Sequence, residues 1–287
     1  MEYRSSCAAF DSGFAPPSSH PAVGRPAANR RHPGRALLVL AAALSLILVP
    51  GAALGDKAPP DPEAPDLPLD ERLELLVERV KYEQSRLETM EARFTQNKES
   101  LMLLEPEEST GYFWYHAPDR VRWDFERVEG ESDAPQGAAD GNDVDTVVLI
   151  SGGEMLTWYR DLGRAERVNV GKQADRVMEY VSAGNSLETL QRYFSLRVSF
   201  PEEPDAPYRL RLTPRFERVS KRIKEMALHI DRKGYYPVYL KYVDPDDDVT
   251  ELHFHDVVVN QAIDDQRFDV DLPADVEVQE VALGGRE

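Results

Sequence analysis

Cysteine is almost absent from this sequence, and the only one, Cys7, lies near its amino end. A disulfide within the chain is therefore excluded, and the stability of the folded part must come from a packed core. Thiol catalysis is excluded for everything that follows Cys7. The chain is long enough after its first segments to form one sizeable domain without such cross-links.

Positive charge is also scarce, with 34 Lys and Arg against 52 Asp and Glu and a formal net charge of −18. A nucleic-acid partner needs a basic face to neutralise phosphates, so this class of partner is disfavoured. Peripheral binding to anionic lipid headgroups is disfavoured for the same reason. The acidic excess is best interpreted as a surface charge that keeps the protein soluble.

The sequence lacks the common catalytic and cofactor motifs. It has no Gly-x-Ser-x-Gly, phosphate-binding glycine loop or dinucleotide fingerprint. His253 and His255 share a face of a predicted strand, as two metal ligands would, but no third ligand stands at a fixed spacing. Asp244 to Asp248 lacks the glycine and glutamate of a calcium loop and predicts a hairpin turn. We expect no metal, no other cofactor and no enzymatic activity, although a Ser/His/Asp site stays open.

The amino-terminal segment predicts export. Three arginines, Arg30, Arg31 and Arg35, precede an apolar run over residues 36–49, and Ala-Leu-Gly follows at 53–55. This order is typical of a secretory signal peptide, predicted over residues 1–55, with residues 1–29 as an over-extended start. The run is shorter than the roughly 20 residues of a bilayer span, and a retained anchor is the alternative.

Proline and acidic residues then dominate residues 56–69, which predicts an extended, solvated linker. Leu73, Leu76 and Val80 lie on one helical stripe, which predicts an amphipathic helix over about 70–87, capped by Asp70.

The hydrophobic period changes from 3.6 to 2 after this helix. Alternating apolar residues predict about six strands between residues 90 and 170, then two short helices, then about five strands between 194 and 259. Residues 129–143 predict a flexible insertion between two strands. A sheet of about 11 strands with few helices must curl or close, so we expect a mainly β (α+β) fold with helices covering its concave side.

Several segments of the chain resemble the LolA family of periplasmic lipoprotein carriers. The likeness covers about residues 70–280, and each segment alone is weak. The matching segments occur in the family's order: Met90–Gln96, Gly111–Trp114, Val121–Trp123 after Pro118, Ser151–Tyr159, Leu212–Pro214 and Phe268–Val276.

This resemblance implies a specific fold and function. Residues 70–280 would form one domain, an unclosed, strongly curved antiparallel β-barrel with a lid of short helices. The function would be to bind the acyl chains of lipoproteins in an apolar cavity. The implied partners are an inner-membrane lipoprotein-releasing transporter and an outer-membrane receptor, the location is the periplasm, and the protein would be a monomer.

Aromatic and aliphatic residues of the first strands are the candidates for a lipid-binding cavity. Alternation places Val121, Trp123 and Phe125 on one face of one strand, and an acyl chain needs such a dry surface. Any single one of these residues is better explained as ordinary core. The predicted cavity residues are Phe94, Phe113, Tyr115, Val121, Trp123, Phe125 and Leu149, and the predicted lid residues are Val177, Met178, Tyr180 and Val181.

The chain departs from the family in one respect. The family's best-known carriers have an arginine before the loop proline, where this sequence has Ala117 before Pro118. Arg120 or Arg122 could substitute, or this member releases cargo differently. A carrier of glycolipid or phospholipid and a lipid-sensing regulator of envelope stress are therefore the alternatives.

The variant Ala117→Arg tests this departure. If the missing arginine matters for lid closure and release, as the resemblance implies, the variant changes the retention of bound cargo. The measurement is a transfer assay that follows release from the protein to an acceptor. Release at the wild-type rate would show that the difference is unimportant.

Overall fold

The computed structural model of the chain describes residues 58–64, 67–101, 103, 105–126, 144–169 and 187–281. The predicted signal peptide, the insertion at 129–143 and the four predicted lid residues lie outside these ranges. Among the helices within them, none has both the length and the apolar character needed to cross a bilayer.

The first element is an amphipathic helix, α1 (Leu69–Gln84). Its buried stripe includes Leu76, Val77 and Val80, which join the central hydrophobic cluster. The prediction that Asp70 caps the helix is wrong. The cap position is held by Pro68 without a side-chain hydrogen bond, and Asp70 lies inside the first turn, where its negative charge favours the helix dipole.

Twelve strands of the described ranges form one sheet. Eleven of them match the strands predicted from the sequence, and they follow one another along the chain as predicted. The strands are β1 (Thr89–Glu99), β2 (Glu107–His116), β3 (Arg120–Glu126), β4 (Val144–Ser151), β5 (Glu154–Tyr159), β6 (Arg164–Asn169), β7 (Phe194–Ser199), β8 (Tyr208–Pro214), β9 (Glu225–Ile230), β10 (Pro237–Val243), β11 (Val249–Val259) and β12 (Glu277–Glu280).

The sheet is unclosed and strongly curved. Its strand order is β12-β6-β5-β4-β3-β2-β1-β11-β10-β9-β8-β7, so β12 and β7 form its two free edges. One hydrophobic cluster nevertheless includes Val168 of β6, Phe194 of β7 and the stripe of α1. A flat sheet of this width could not bring β6 and β7, which lie near its opposite ends, into one core, so one face must wrap around that core. The predicted fold class is confirmed.

Short elements complete the described part of the chain. Helix α2 (Leu187–Tyr193) precedes β7, helix α3 (Glu217–Ser220) follows β8, and a 3₁₀ helix (Asp265–Phe268) follows β11. The twelfth strand, helix α3 and the 3₁₀ helix were not predicted. Of the two short helices predicted before β7, α2 is one, and the other lies outside the described residues. Strand β12 pairs in parallel with β6 and is exposed along its whole length, so it has no alternation from which to be recognised.

Part of the predicted solvated linker packs on the folded body. Pro62 is buried, and its carbonyl oxygen accepts a hydrogen bond from Arg72. The Glu63 carboxylate forms a two-pronged ion pair with Arg232. The expectation of a fully extended spacer is therefore wrong for residues 61–63. Composition could not reveal this pair because its partner lies 169 residues away.

Gly111 leaves room for the neighbouring strands to approach. A β-carbon at this position would lie 2.0 Å from the carbonyl oxygen of Asp124 and 2.8 Å from the ring of Phe94. We expect Gly111→Ala to lower the free energy of unfolding by about 1–3 kcal/mol, because both neighbours must shift. Urea denaturation measures this, with Ser109→Ala on the same strand as the control. Equal stability of the two variants would contradict the tight approach.

The Glu63–Arg232 pair predicts a pH dependence of stability. The hydrogen bond from Arg232 lowers the pKa of Glu63, so the pair stabilises the fold above the unfolded pKa of about 4.3. This contribution is lost as pH falls through the lowered folded pKa. At pH 7 we expect Glu63→Gln to lower the free energy of unfolding by about 1–2 kcal/mol.

Denaturation at several pH values measures this effect. The difference between Glu63→Gln and wild type should shrink below about pH 4, while the exposed control Glu203→Gln stays near wild type throughout. A pH-independent difference would contradict the assignment.

Candidate functional site

One face of the curved sheet carries six of the seven predicted cavity residues. Directly opposed residues of an antiparallel pair point to the same side, and Phe113 opposes Trp123, which opposes Val148. We call this side the core face and the opposite side the outer face. The six residues that the structure brings together on the core face, all buried, are Phe94, Phe113, Tyr115, Val121, Trp123 and Phe125.

The structure does not bring Leu149 to the core face. Leu149 opposes Arg122 on β3 and Leu156 on β5, and both lie on the outer face. Four consecutive apolar residues, 147–150, hid the alternation of this strand from sequence analysis. By register it is Val148 that faces Trp123.

Aromatic rings fill the centre of the core face. The ring of Trp123 lies 4.6 Å from Phe113, 5.1 Å from Phe94 and 5.7 Å from Phe254, between centroids. Phe125 lies 5.0 Å from Phe94 in an edge-to-face contact. Such pairs add about 0.5–1.5 kcal/mol each beyond their buried area. The side chains of this cluster therefore occupy the place where sequence analysis expected a cavity.

Phe254 belongs to this site and was missed by sequence analysis. It lies on β11 opposite Phe94 and its ring is 5.4 Å from Phe113. The alternation over 252–255 (Leu-His-Phe-His) was sufficient to place Leu252 and Phe254 on the buried side.

The histidines themselves lie on the outer face. His253 contacts the ring of Tyr239, with centroids 4.7 Å apart, and His255 opposes Arg93. Tyr239 also contacts His229, at 4.4 Å. No group of three or more potential metal ligands occurs within the described ranges.

The core face carries buried polar atoms without a hydrogen-bond partner in the described part of the chain, among them Nε of Arg164, whose guanidinium pairs with Glu166 through another nitrogen, and three atoms of uncharged side chains. These three atoms are the hydroxyl of Tyr115, the indole nitrogen of Trp123 and the hydroxyl of Thr157. Thr157 belongs to the core face because it opposes Val148. Burial, with the nearby charge of Asp119, raises the pKa of Tyr115, so its hydroxyl stays neutral. Leaving such a group unpaired costs about 1–3 kcal/mol.

The outer face near these strands is held by charged and aromatic pairs. Arg122 makes two hydrogen bonds to Asp124, at 2.6 and 2.9 Å, and one to the carbonyl oxygen of Arg267. Arg120 pairs with Asp265 at 2.8 Å. Both arginines thus lie on the outer face and are paired with other residues there.

The tryptophans divide between the two faces. Trp114 lies on the outer face, stacked on Tyr112 with centroids 5.6 Å apart and covered by the Arg267 guanidinium at 4.6 Å. Trp158 also lies on the outer face, since it opposes Val147. Trp123 alone of the three lies on the core face, which provides a natural reporter for that side.

Comparison with known proteins finds likeness at the level of structure. No family model matches the chain, and no curated protein matches it. An uncharacterized conserved protein from Thermus thermophilus is similar with TM-score 0.43 and 12% identity, over 73% of this chain and 99% of that one.

Two further solved structures resemble the chain. A putative outer membrane lipoprotein-sorting protein domain from Vibrio parahaemolyticus has TM-score 0.38 and 12% identity, over 68% of this chain and 94% of that one. A LolA superfamily protein from Nitrosomonas europaea has TM-score 0.31 and 8% identity, over 64% and 91%. The neighbours thus include the family that the sequence motifs resemble. At these scores the fold assignment rests on the strand order of this chain itself.

Packing predicts that Trp123 stabilises the ligand-free protein. Trp123→Ala removes a ring that touches three others, so we expect a loss of about 3–5 kcal/mol in the free energy of unfolding. Leu149→Ala, at a half-buried site on the outer face, should cost clearly less. Denaturant titration of both variants measures this, and a Trp123 variant as stable as the Leu149 variant would contradict the packed cluster.

Proposed function

We propose that this protein binds acyl chains on its core face and acts as a carrier of lipidated cargo. The observation that supports the proposal most strongly is the aromatic cluster on the inner side of an unclosed sheet. An acyl chain could reach this cluster between the free edges, β7 and β12, without breaking any strand pair. The proposal is for a binding protein that performs no chemistry.

The core face is suited to rearrangement. Beside the rings it carries Met90, Met155 and Met226, all buried. Methionine has an unbranched, flexible side chain and adapts its packing to irregular neighbours. An acyl chain that enters must part the rings around Trp123, but the rings then contact the chain and remain away from water.

The energies favour this exchange. Burying an acyl chain of about a dozen methylenes gains on the order of 10 kcal/mol, at about 0.8 kcal/mol each. The ring contacts that must change geometry are worth about 0.5–1.5 kcal/mol each, and part of that is recovered in contacts with the chain. The protein therefore needs no permanent empty cavity to bind lipid.

The resemblance of the sequence motifs to the LolA family supports a more specific version. In it the cargo is the acyl chains of lipoproteins, carried across the periplasm from an inner-membrane lipoprotein-releasing transporter to an outer-membrane receptor. Removal of residues 1–55 as a signal peptide would place the protein in that compartment. Val177, Met178, Tyr180 and Val181 would close over the bound chain as the lid.

The identity of the cargo depends on the difference from the family at Ala117. The place of the family's arginine is taken by a small side chain, and the two nearby arginines are committed on the outer face. Phospholipid or glycolipid is the alternative cargo. Mass spectrometry of lipid that co-purifies with the protein distinguishes these cargoes from triacylated lipoprotein.

Quenching of tryptophan fluorescence tests where an acyl chain binds. A phospholipid brominated midway along its acyl chain quenches an indole only at contact range. In the double variant Trp114→Phe/Trp158→Phe, all emission comes from Trp123, and we expect strong, saturable quenching on addition of the brominated lipid.

The matched control is Trp123→Phe, whose emission comes only from the two outer-face tryptophans. We expect little quenching there, and none in either variant with the same lipid lacking bromine. Quenching confined to the Trp123→Phe variant would place the lipid on the outer face. Absence of quenching in both variants would contradict lipid binding.

A further inference from the structure

Three unpaired polar atoms of uncharged side chains are among the most deeply buried groups of the core face. The exposed fractions of Tyr115, Trp123 and Thr157 are 0%, 2% and 1%, and none of their side-chain polar atoms has a hydrogen-bond partner in the described part of the chain. Buried polar groups in folded proteins are nearly always paired, so unpaired groups that share one face need an explanation.

Strand register places these side chains close together. Trp123 opposes Val148, which opposes Thr157, so the backbones of Trp123 and Thr157 are two strand spacings apart, or about 10 Å. Tyr115 opposes Val121, two residues before Trp123, and such diagonal neighbours lie about 7–8 Å apart. The three side chains thus surround one patch of the core face.

The chemistry of the three groups indicates what they would bind. An indole N–H only donates hydrogen bonds, whereas the hydroxyls of Tyr115 and Thr157 donate and accept. All three groups can donate a hydrogen bond, so each can pair with an acceptor oxygen of a ligand. Thr157 directly opposes Glu166, which pairs with Arg164. Since Arg164 is already paired with Glu166, the described residues beside this patch leave no unpaired positive charge to offset a buried anion. The acceptor is therefore a neutral carbonyl.

We propose that Tyr115, Trp123 and Thr157 form a polar subsite that binds the carbonyl oxygens of esterified acyl chains. The inference rests on the proposed function, since it needs an acyl chain on the core face. It adds a selectivity: ester-linked acyl lipids bind more tightly than ether-linked lipids or free fatty acids of equal length.

Matched ester and ether lipids test the subsite. Dioctanoylglycerol and its dioctyl ether analogue have chains of equal length and differ in the two carbonyl oxygens. Calorimetric titration of the purified protein should give an affinity for the ester about three- to tenfold higher for each hydrogen bond made. Tyr115→Phe and Thr157→Val each remove one hydroxyl and should lower ester affinity while leaving ether affinity unchanged.

A matched control separates the subsite from a general effect of buried polar atoms. Trp158→Phe removes an equally unpaired indole N–H from the outer face and should keep the full ester preference. The melting temperatures of Tyr115→Phe and Thr157→Val should equal or exceed that of wild type, because each loses a buried hydroxyl without a partner. A lowered ester affinity therefore cannot come from unfolding.

The outcomes distinguish the two levels of the proposal. Equal affinity of the wild type for ester and ether would overturn the subsite and leave acyl-chain binding intact. A preference retained in both hydroxyl variants would overturn it as well. Binding of neither lipid would overturn the proposed function and the subsite together.

Discussion

The face of the sheet that carries the central hydrophobic cluster must be covered largely by the sheet itself. The described part of the chain has twelve strands but only one helix of more than two turns, α1, to cover them. The sheet therefore buries its apolar side by curling that side around itself and around the stripe of α1. Curvature, the meeting of β6 and β7 residues in one cluster, and the burial of Trp123 all follow from this constraint.

This constraint links stability to binding. In many proteins the core and the ligand site are separate, but here any apolar ligand that enters the sheet must compete with the rings that stabilise it. Flexible methionines and edge-to-face aromatic contacts, rather than interlocked branched side chains, make that competition feasible. The outer face provides rigidity instead. Its arginine–carboxylate and arginine–aromatic pairs hold β2 and β3 in place. The sheet can thus keep its strand register while the core face rearranges.

The unpaired polar atoms also indicate that the core face has a role besides packing. Tyr115 and Thr157 occupy positions where phenylalanine and valine would fill similar volumes without a polar atom to desolvate. A face that served only for packing gains nothing from hydroxyls there. Their presence is explained if the core face also recognises a ligand that carries oxygen.

The sequence was informative wherever a local period determined the structure. The strands other than β4 and β12, the helix α1 and the placement of Phe94, Phe113, Tyr115, Val121, Trp123 and Phe125 follow from alternation or helical spacing. Leu149 was misplaced because a continuous apolar run carries no alternation. The Glu63–Arg232 pair depends on contacts between distant parts of the chain.

The exposed strand β12 has no pattern to recognise, and Phe254 was missed although its signal was present. The packed state of the core face could not be foreseen either. Residue types show that a surface is apolar, but whether it encloses space depends on ring orientations that only three-dimensional packing sets.

The structure of the protein determined with an acyl lipid bound would test the account most directly. The account predicts an acyl chain lying on the core face between the rings of Phe94, Trp123 and Phe254, with those rings displaced and the strand pairing unchanged. A chain bound on the outer face beside Trp114 or Trp158, with the core cluster unmoved, would contradict it.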